Sequence, residues 1–463
     1  MKIRFLTILA FTAGLSYNAA AQDAVENFIT TSLPFVGQIV PADVDDDGFT
    51  DVIAYAATSS TSDYKLVWYK NNADGSGTFS SELPIYQDTA TGVRGLRTAD
   101  VNGDGFLDIL GLDYPNNQMV WFPSTDGNGN FGSKQIIPTD LPDKIAVVPA
   151  DIDGDGDVDL VSASSTQNRI SWFENTDGLG NYGSQITITT HVDFPRYLAV
   201  ADMNGDNALD VISVSIDDRK IAWFENTDGL GTFSTPKLVE TSERFEIMKT
   251  ADIDNDGDQD IIASQGAGNS SRIVWYENED GLGNFSSITT IHWNNSTQDF
   301  DFLDMDEDGD LDIVYCDRLN SIGYLRNLDG EGTFGLFEGI DTFINLPLAS
   351  IATDINGNGK LDILSGARRE SGSIFWYGAA DVLSVNSEFQ NQLSISPIPS
   401  SDVVNIQSNT IIAAIDVYDL RGKKVLSNQD ENTIDISQLN SGIYLMRIQD
   451  NLGNFGMKKI IRN

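Results

Sequence analysis

Seven short stretches of this chain carry the pattern D-x-[DN]-x-[DN]-[GN]-x-x-D, beginning at Asp43, Asp100, Asp151, Asp202, Asp252, Asp304 and Asp354. Oxygen donors at positions 1, 3, 5 and 9 of so tight a loop suit a hard cation that takes six to eight oxygens, which favours Ca²⁺ over Mg²⁺ or a transition metal. The candidate ligand sets are Asp43, Asp45, Asp47 and Asp51; Asp100, Asn102, Asp104 and Asp108; Asp151, Asp153, Asp155 and Asp159; Asp202, Asn204, Asp206 and Asp210; Asp252, Asp254, Asp256 and Asp260; Asp304, Asp306, Asp308 and Asp312; and Asp354, Asn356, Asn358 and Asp362. Position 6 is glycine in every copy except the fourth, where it is Asn207, and both residues tolerate a positive φ. Position 7 ranges from Phe49 through Asp157 to Lys360, as expected of a residue that lends only its backbone carbonyl. Loops 1, 3, 5 and 6 offer four carboxylates each, loops 2 and 4 three, and loop 7 two, so affinity is expected to fall in that order and the seventh reads as a loop losing its metal.

The loops return at intervals of 57, 51, 51, 50, 52 and 50 residues, so one supersecondary unit is repeated. Position 2 is always apolar, as are positions 10 and 11, which pins each loop between two strands. In the fourth copy Tyr197–Ala201, Val211–Ser215, Lys220–Phe224 and Phe233–Val239 read as four strands, the third carrying an Ile-x-Trp-[Phe/Tyr] signature. That aromatic recurs as Trp68, Trp121, Trp172, Trp223, Trp275 and Trp376, with Tyr324 in the sixth copy, and is expected to pack between units. Asp-Gly-x-Gly-x-[Phe/Tyr] segments such as Asp177–Tyr182 read as hairpins joining strands 3 and 4. The seventh copy lacks that hairpin and its fourth strand, whereas Glu26–Thr31 resembles an orphan fourth strand. The expected fold of the repeats is therefore all-β: a seven-bladed β-propeller of four-stranded blades closed by its N-terminal strand.

The formal charge of −41 lies almost wholly on the repeats, because residues 381–463 hold seven basic and nine acidic residues. Self-repulsion without cations should be severe, which makes Ca²⁺ a folding requirement. The same field argues against nucleic acid, which demands cationic surface. Lys2 and Arg4, the apolar run Phe5–Leu15 and Ala19-Ala20-Ala21 make residues 1–21 a secretory signal peptide, with a mature start at Gln22. No other segment is long enough to span a bilayer. Cys316 is the lone cysteine, so no disulfide forms within the chain, and its apolar setting reads as a buried strand position.

Over residues 22–380 the loops and strand pattern resemble the FG-GAP/VCBS repeats, the family that includes the calcium-bearing propeller of integrin α chains. The resemblance implies metal ligands at positions 1, 3, 5 and 9 and leaves function open among adhesion, lectin-like and lyase roles. Beyond a linker at 381–392, residues 393–463 contain Ile395-Ser396-Pro397-Ile398-Pro399, Ile415–Val425, Leu439–Tyr444 and Lys458-Lys459-Ile460-Ile461. That series resembles the type A sorting domain of the type IX secretion system, with Ser-Pro where the family usually has Asn-Pro, and the resemblance implies a small C-terminal β-sandwich after the propeller, so that the whole chain is expected to be all-β. It implies a partner in the type IX machinery and a product secreted from, or attached to the outer surface of, a Gram-negative bacterium.

Residues that depart from the repeat template fall mostly in the 2–3 and 4–1 connections, on the face away from the acidic loops: His191, Arg196, Tyr197, Asp217, Asp218, Arg219, His292, Trp293, Arg318, Arg368 and Arg369. A basic residue also recurs three before the strand-3 aromatic, as Lys65, Arg169, Lys220 and Arg272, which should make this face less negative. The first reading is a monomeric, non-catalytic module that holds an extracellular glycan through Trp293, Tyr197 and arginines. The alternatives are adhesion to a surface protein and a polysaccharide lyase using His191 or His292 with Tyr197 and Arg196. No Ser-His-Asp order, phosphate loop or zinc signature is present.

Overall fold

The computed structural model describes residues 26–57, 64–88, 92–114, 116–265, 271–294, 296–318, 320–341, 344, 346–367, 372–378, 393–400, 402–418, 424–429, 432–450 and 455–462. The expected signal peptide, the linker, and Arg368 and Arg369 lie outside them. The chain divides into two compact units, one spanning Asp23–Leu383 and the other containing Ser384–Asn463.

Alternation of apolar and polar residues on either side of each acidic loop yields antiparallel meanders. In the first, Val36–Ala42, Asp51–Ala57, Tyr64–Tyr69 and Leu83–Asp88 pair in chain order, and five further sheets repeat that order. The second strand is buried along its whole length, as in Asp159–Ser164 and Asp210–Ser215, because it is covered on both faces by neighbouring blades. The seventh sheet takes Ile351–Thr353, Asp362–Ala367 and Ser373–Tyr377 from one end of the repeat region and Asn27–Thr30 from the other, with Asn27 opposite Trp376. The orphan strand therefore closes the ring, as its sequence predicts.

Seven apolar cores lie between blades. Val161 and Trp172 of blade 3 share one with Val211 and Phe224 of blade 4. Val52 and Val67 of blade 1 share another with Leu364 and Trp376 of blade 7. The recurring aromatics do the packing between units that their register implies. Each tryptophan lies against the second glycine of the hairpin in the next blade. A Cβ on Gly231 would come within 2.2 Å of Trp172, and one on Gly77 within 2.3 Å of Trp376. Both glycines also adopt positive φ, +80° and +63°, so the hairpin demands glycine twice over. Cys316 is buried, as expected.

The second unit is a small two-sheet assembly. Ser394–Ser396, Val403–Gln407 and Thr433–Asp435 form one sheet, and Lys424–Gln429, Ile412–Tyr418, Gly442–Asp450 and Phe455–Arg462 the other. Val404, Ile434, Ile415, Val417, Met446, Ile448 and Ile460 fill the space between them. Among the described residues no helix is long and apolar enough to cross a membrane.

Candidate functional site

Each acidic loop joins the inner strand of a blade to its second strand. Position 6 has positive φ in all seven copies, from +68° at Asn207 to +98° at Gly257 and Gly309, which is the sharp turn the sequence requires. Position 1 closes the loop on itself: Asp252 accepts from the amides of Asp256 at 3.1 Å and Gly257 at 3.0 Å, and the other copies repeat the pattern except the third, where Asp151 accepts from the amides of Gly154 and Gly156. Position 2 is buried in every copy, from Val44 to Ile355.

Position 9 carries a second duty that its spacing did not disclose. Asp210 is fully buried, and its two oxygens accept from the amides of Met203 at 3.1 Å and Asn226 at 2.8 Å. The same two bonds hold Asp51, Asp108, Asp159, Asp260 and Asp312. Burial pushes Asp210 up to about 6 and Asp260 up to about 7 despite those bonds. Position 9 is thus the bolt between loop and third strand. Its oxygens still reach the cage in two copies, where Asp43, Asp45 and Asp51, and Asp151, Asp153 and Asp159, bring ligand atoms within 4.8 Å of one another. In two others positions 1, 3 and 5 do so: Asp252, Asp254 and Asp256, and Asp304, Asp306 and Asp308. These four are the loops with four carboxylates.

The donor set is all oxygen, and at position 3 it is incomplete. Asp45 Oδ1, Asp254 Oδ1 and Asp306 Oδ1 are buried without a hydrogen-bond partner, an arrangement that favours a bound cation. What flanks position 3 differs between blades. The residue following the strand-3 aromatic pair is Glu174, Glu225 or Glu277 in blades 3 to 5, but Lys70 in blade 1 and Arg326 in blade 6. Glu277, behind burial and Asp256, contributes to pushing Asp254 up to about 6. Lys70 instead pairs with Asp45 and lies 3.2 Å from Asp47, and Arg326 lies 3.0 Å from Asp306.

One residue further on, in five blades, stands a buried asparagine that ties the loop of the preceding blade to its own. Asn226 Nδ2 in blade 4 donates to the Ile152 carbonyl in the loop of blade 3 at 2.8 Å, and Asn71, Asn175, Asn278 and Asn327 do the same to their preceding loops. The signal was the recurring Trp-[Phe/Tyr]-x-Asn. Blade 2 has Ser124 there, and its buried hydroxyl has no partner.

The candidate ligand residues scatter. His191 and Arg219 are exposed in separate connections, and Arg318, also exposed, donates to Gln298 Oε1 at 3.2 Å. His292 and Trp293 belong to the outer strand Thr289–Asn294 and not to a connection. The His292 ring centroid lies 5.6 Å from that of Tyr315 and 6.1 Å from that of Phe337, and burial lowers its pKa. Trp293 is 64% exposed, with the Arg272 guanidinium 5.2 Å from its ring. Three of the basic residues before the strand-3 aromatic do not leave that face cationic. Lys65 pairs with Glu82 at 2.5 Å, Lys220 with Asp218 at 2.9 Å, and Arg272 approaches Glu243 at 3.9 Å. Among the described candidates, Arg196 and Tyr197 come together in a cavity, on the inner strand of blade 4. They share it with Arg94 and Lys144, which the sequence reading missed although basic residues occupy the start of the inner strand in three consecutive repeats.

The FG-GAP-like repeat model matches residues 43–111, 100–162, 151–213, 203–263 and 252–315, leaving the seventh loop outside. The secretion system C-terminal sorting domain model matches residues 394–463. It marks the protein as secreted or attached to the outer surface, and it implies interaction with the type IX secretion machinery. No curated protein matches the sequence. Among solved structures, BBS1N in complex with ARL6DN, soaked with mercury, is 11% identical with a TM-score of 0.52, over 77% of this chain and 97% of that one, and shares the fold. A putative 6-phosphogluconolactonase from Bacteroides uniformis is 14% identical with a TM-score of 0.44, over 67% and 86% of the two chains.

Proposed function

The chain belongs to the FG-GAP-like repeat family and ends in a secretion system sorting domain, and from that premise we propose that it is a calcium-loaded recognition module on the outside of a Gram-negative cell, monomeric and non-catalytic, with extracellular glycans as its ligands. The observation that carries the calcium reading is the buried, unpartnered oxygen of position 3 in blades 1, 5 and 6. Positions 1 and 3 would hold the ion together with position 9 in blades 1 and 3 and with position 5 in blades 5 and 6, while position 9 also braces each of these loops from behind. Bound Ca²⁺ supplies charge compensation to clustered carboxylates and cross-links the two ends of each loop. The protein's own residues then keep the opposite face in register: the asparagines hold five of the loops to the next blade, and the tryptophans fill the seams.

The non-catalytic reading rests on the two histidines. His292 is packed against Tyr315 and Phe337, and His191 lies exposed in a different blade. Calorimetric Ca²⁺ titration of the mature chain tests the first part, with several high-affinity ions per chain expected and none overturning it. A glycan array probed in millimolar Ca²⁺ and again in EDTA tests the second. Calcium-dependent retention of one glycan class is expected, whereas new unsaturated ends released from a polysaccharide panel would replace this reading with a lyase.

A further inference from the structure

At the end of the inner strands remote from the acidic loops, blades 2, 3 and 4 converge on a cavity of about 340 Å³ whose wall includes Arg94, Lys144, Arg196, Phe194, Tyr197 and Leu112. The inner strands slip register against their neighbours at this level, between Arg94 and Arg97, between Lys144 and Ala146, and between Pro195 and Tyr197. A bulge re-aims the side chain of the extra residue. In blade 4 that residue is Arg196, whereas the corresponding extra residue is Gly37 in blade 1, Glu246 in blade 5 and Gln298 in blade 6.

Two of the three cations here, Lys144 and Arg196, stand outside the ion pairs in a chain of net charge −41, with Asp143 acting on Lys144 only at longer range. Lys144 is only 6% exposed, and its ammonium donates to the Asn117 carbonyl at 2.8 Å. Among the described residues neither Lys144 nor Arg196 has a carboxylate within ion-pairing distance, while nearby Lys134 sits 2.7 Å from Asp113. Arg94 hydrogen-bonds the Tyr55 hydroxyl. The central channel, a cavity of about 720 Å³, differs: there Lys249 lies 3.1 Å from Asp301 and 3.8 Å from Asp299. Burying an ammonium without a counter-charge costs several kcal/mol unless an anion joins it. Phe194, Tyr197 and Leu112 supply an apolar wall beside the cations, a combination that suits a sugar ring bearing an acidic group.

We propose that this cavity binds the oxyanion of an acidic sugar residue, a carboxylate or a sulfate ester, with Lys144 and Arg196 on the anion and Tyr197 and Phe194 flanking the ring. The proposal rests on the glycan reading above and narrows it to acidic glycans at one site. Isothermal titration of the purified, calcium-loaded chain with trigalacturonate, a sulfated galactotriose and neutral galactotriose tests it. At least one acidic trisaccharide should bind on the order of tenfold or more tightly than the neutral one, and the better arm identifies the anion. Arg196→Ala, at an exposed position, should weaken that binding on the order of tenfold with an unchanged melting temperature. Lys144→Met should weaken it similarly while leaving the fold intact or firmer. Equal affinity for the neutral sugar, or indifference to Arg196→Ala, would overturn the cavity and leave glycan recognition standing. Silence of all three probes with a folded chain overturns the cavity as well, and silence across the wider array removes the glycan reading with it.

Discussion

The loops of blades 3 and 5 and those of blades 1 and 6 share one motif and four carboxylates, yet they stand in opposite electrostatic settings. Beside Asp153 and Asp254 the third strand presents Glu174 and Glu277, and in both cases the glutamate adds to the crowding of negative charge. Beside Asp45 and Asp306 it presents Lys70 and Arg326, which already pair with the loop. A side-chain cation thus occupies part of the role a metal would take in blades 1 and 6, while blades 3 and 5 have none. Counting carboxylates within the motif ranks the four loops as equals. The strand behind them divides them into two pairs, with loop 4 and Glu225 leaning toward the first.

Complete calcium removal is the widest test of that division. Each site held at a hundredfold over its Kd contributes about 2.7 kcal/mol, so EDTA should lower the melting temperature far more than any single substitution. Blades 3 to 5 should lose protection from hydrogen exchange before blades 1 and 6. Uniform loss around the ring would break the comparison. Exchanging the flanking charges sharpens it: Glu277→Lys should remove one tight ion from the calorimetric count, and Lys70→Glu should raise the affinity of one weak site on the order of tenfold. An unchanged binding isotherm for both variants would show that the strand residue is irrelevant. A smaller effect is expected from the inter-blade bond, which is indifferent to the ion. Asn226→Ala should cost about 1–3 kcal/mol with or without calcium, and Ser124→Asn should recover part of that in blade 2, both read from denaturant midpoints.

The smallest effect is a pH dependence. Burial first, then Asp256 and Glu277, pushes Asp254 up to about 6, and burial pushes Asp260 up to about 7. A carboxyl raised in the folded state favours folding when protonated, so its contribution is complete below the unfolded value of roughly 3.9 and is lost as pH rises through 6 to 7. In EDTA the melting temperature should therefore climb by a few degrees from about pH 7.5 to about pH 5.5. Calcium needs the ionised form, so the gap between calcium and EDTA should narrow over the same interval. A gap that widens on acidification contradicts the assignment.

The ring, its closure by Asn27–Thr30 and the role of the strand-3 aromatics were legible in the sequence because each is stated several times in register. The asparagine staple was equally periodic, but its partner lies in another blade, so the pattern gave no hint of what the amide would bond. Lys65, Lys220 and Arg272 looked free because Glu82, Asp218 and Glu243 reach them across turns or from neighbouring connections. Arg94, Lys144 and Arg196 escaped notice for the converse reason. They lie about fifty residues apart, and a backbone irregularity that no residue type announces brings them to one wall. His292 and Trp293 were placed in a connection because the outer strand of blade 5 runs on through them to Asn294.

The strand that completes the seventh blade also sets the tempo of the molecule. Asn27 meets Trp376 across about 350 residues of chain, and an unstructured loop of that length loses about 5 kcal/mol of freedom when its ends join, by (3/2)RT ln n. Every blade from the first to the sixth can form from contiguous sequence, but the last waits for a distant encounter. Once made, that encounter is a clasp: four residues, Asn27–Thr30, stand between a closed ring and an open one. The ring should accordingly be slow to assemble and slow to come apart, with its lifetime under attack governed by how often a single short strand lets go.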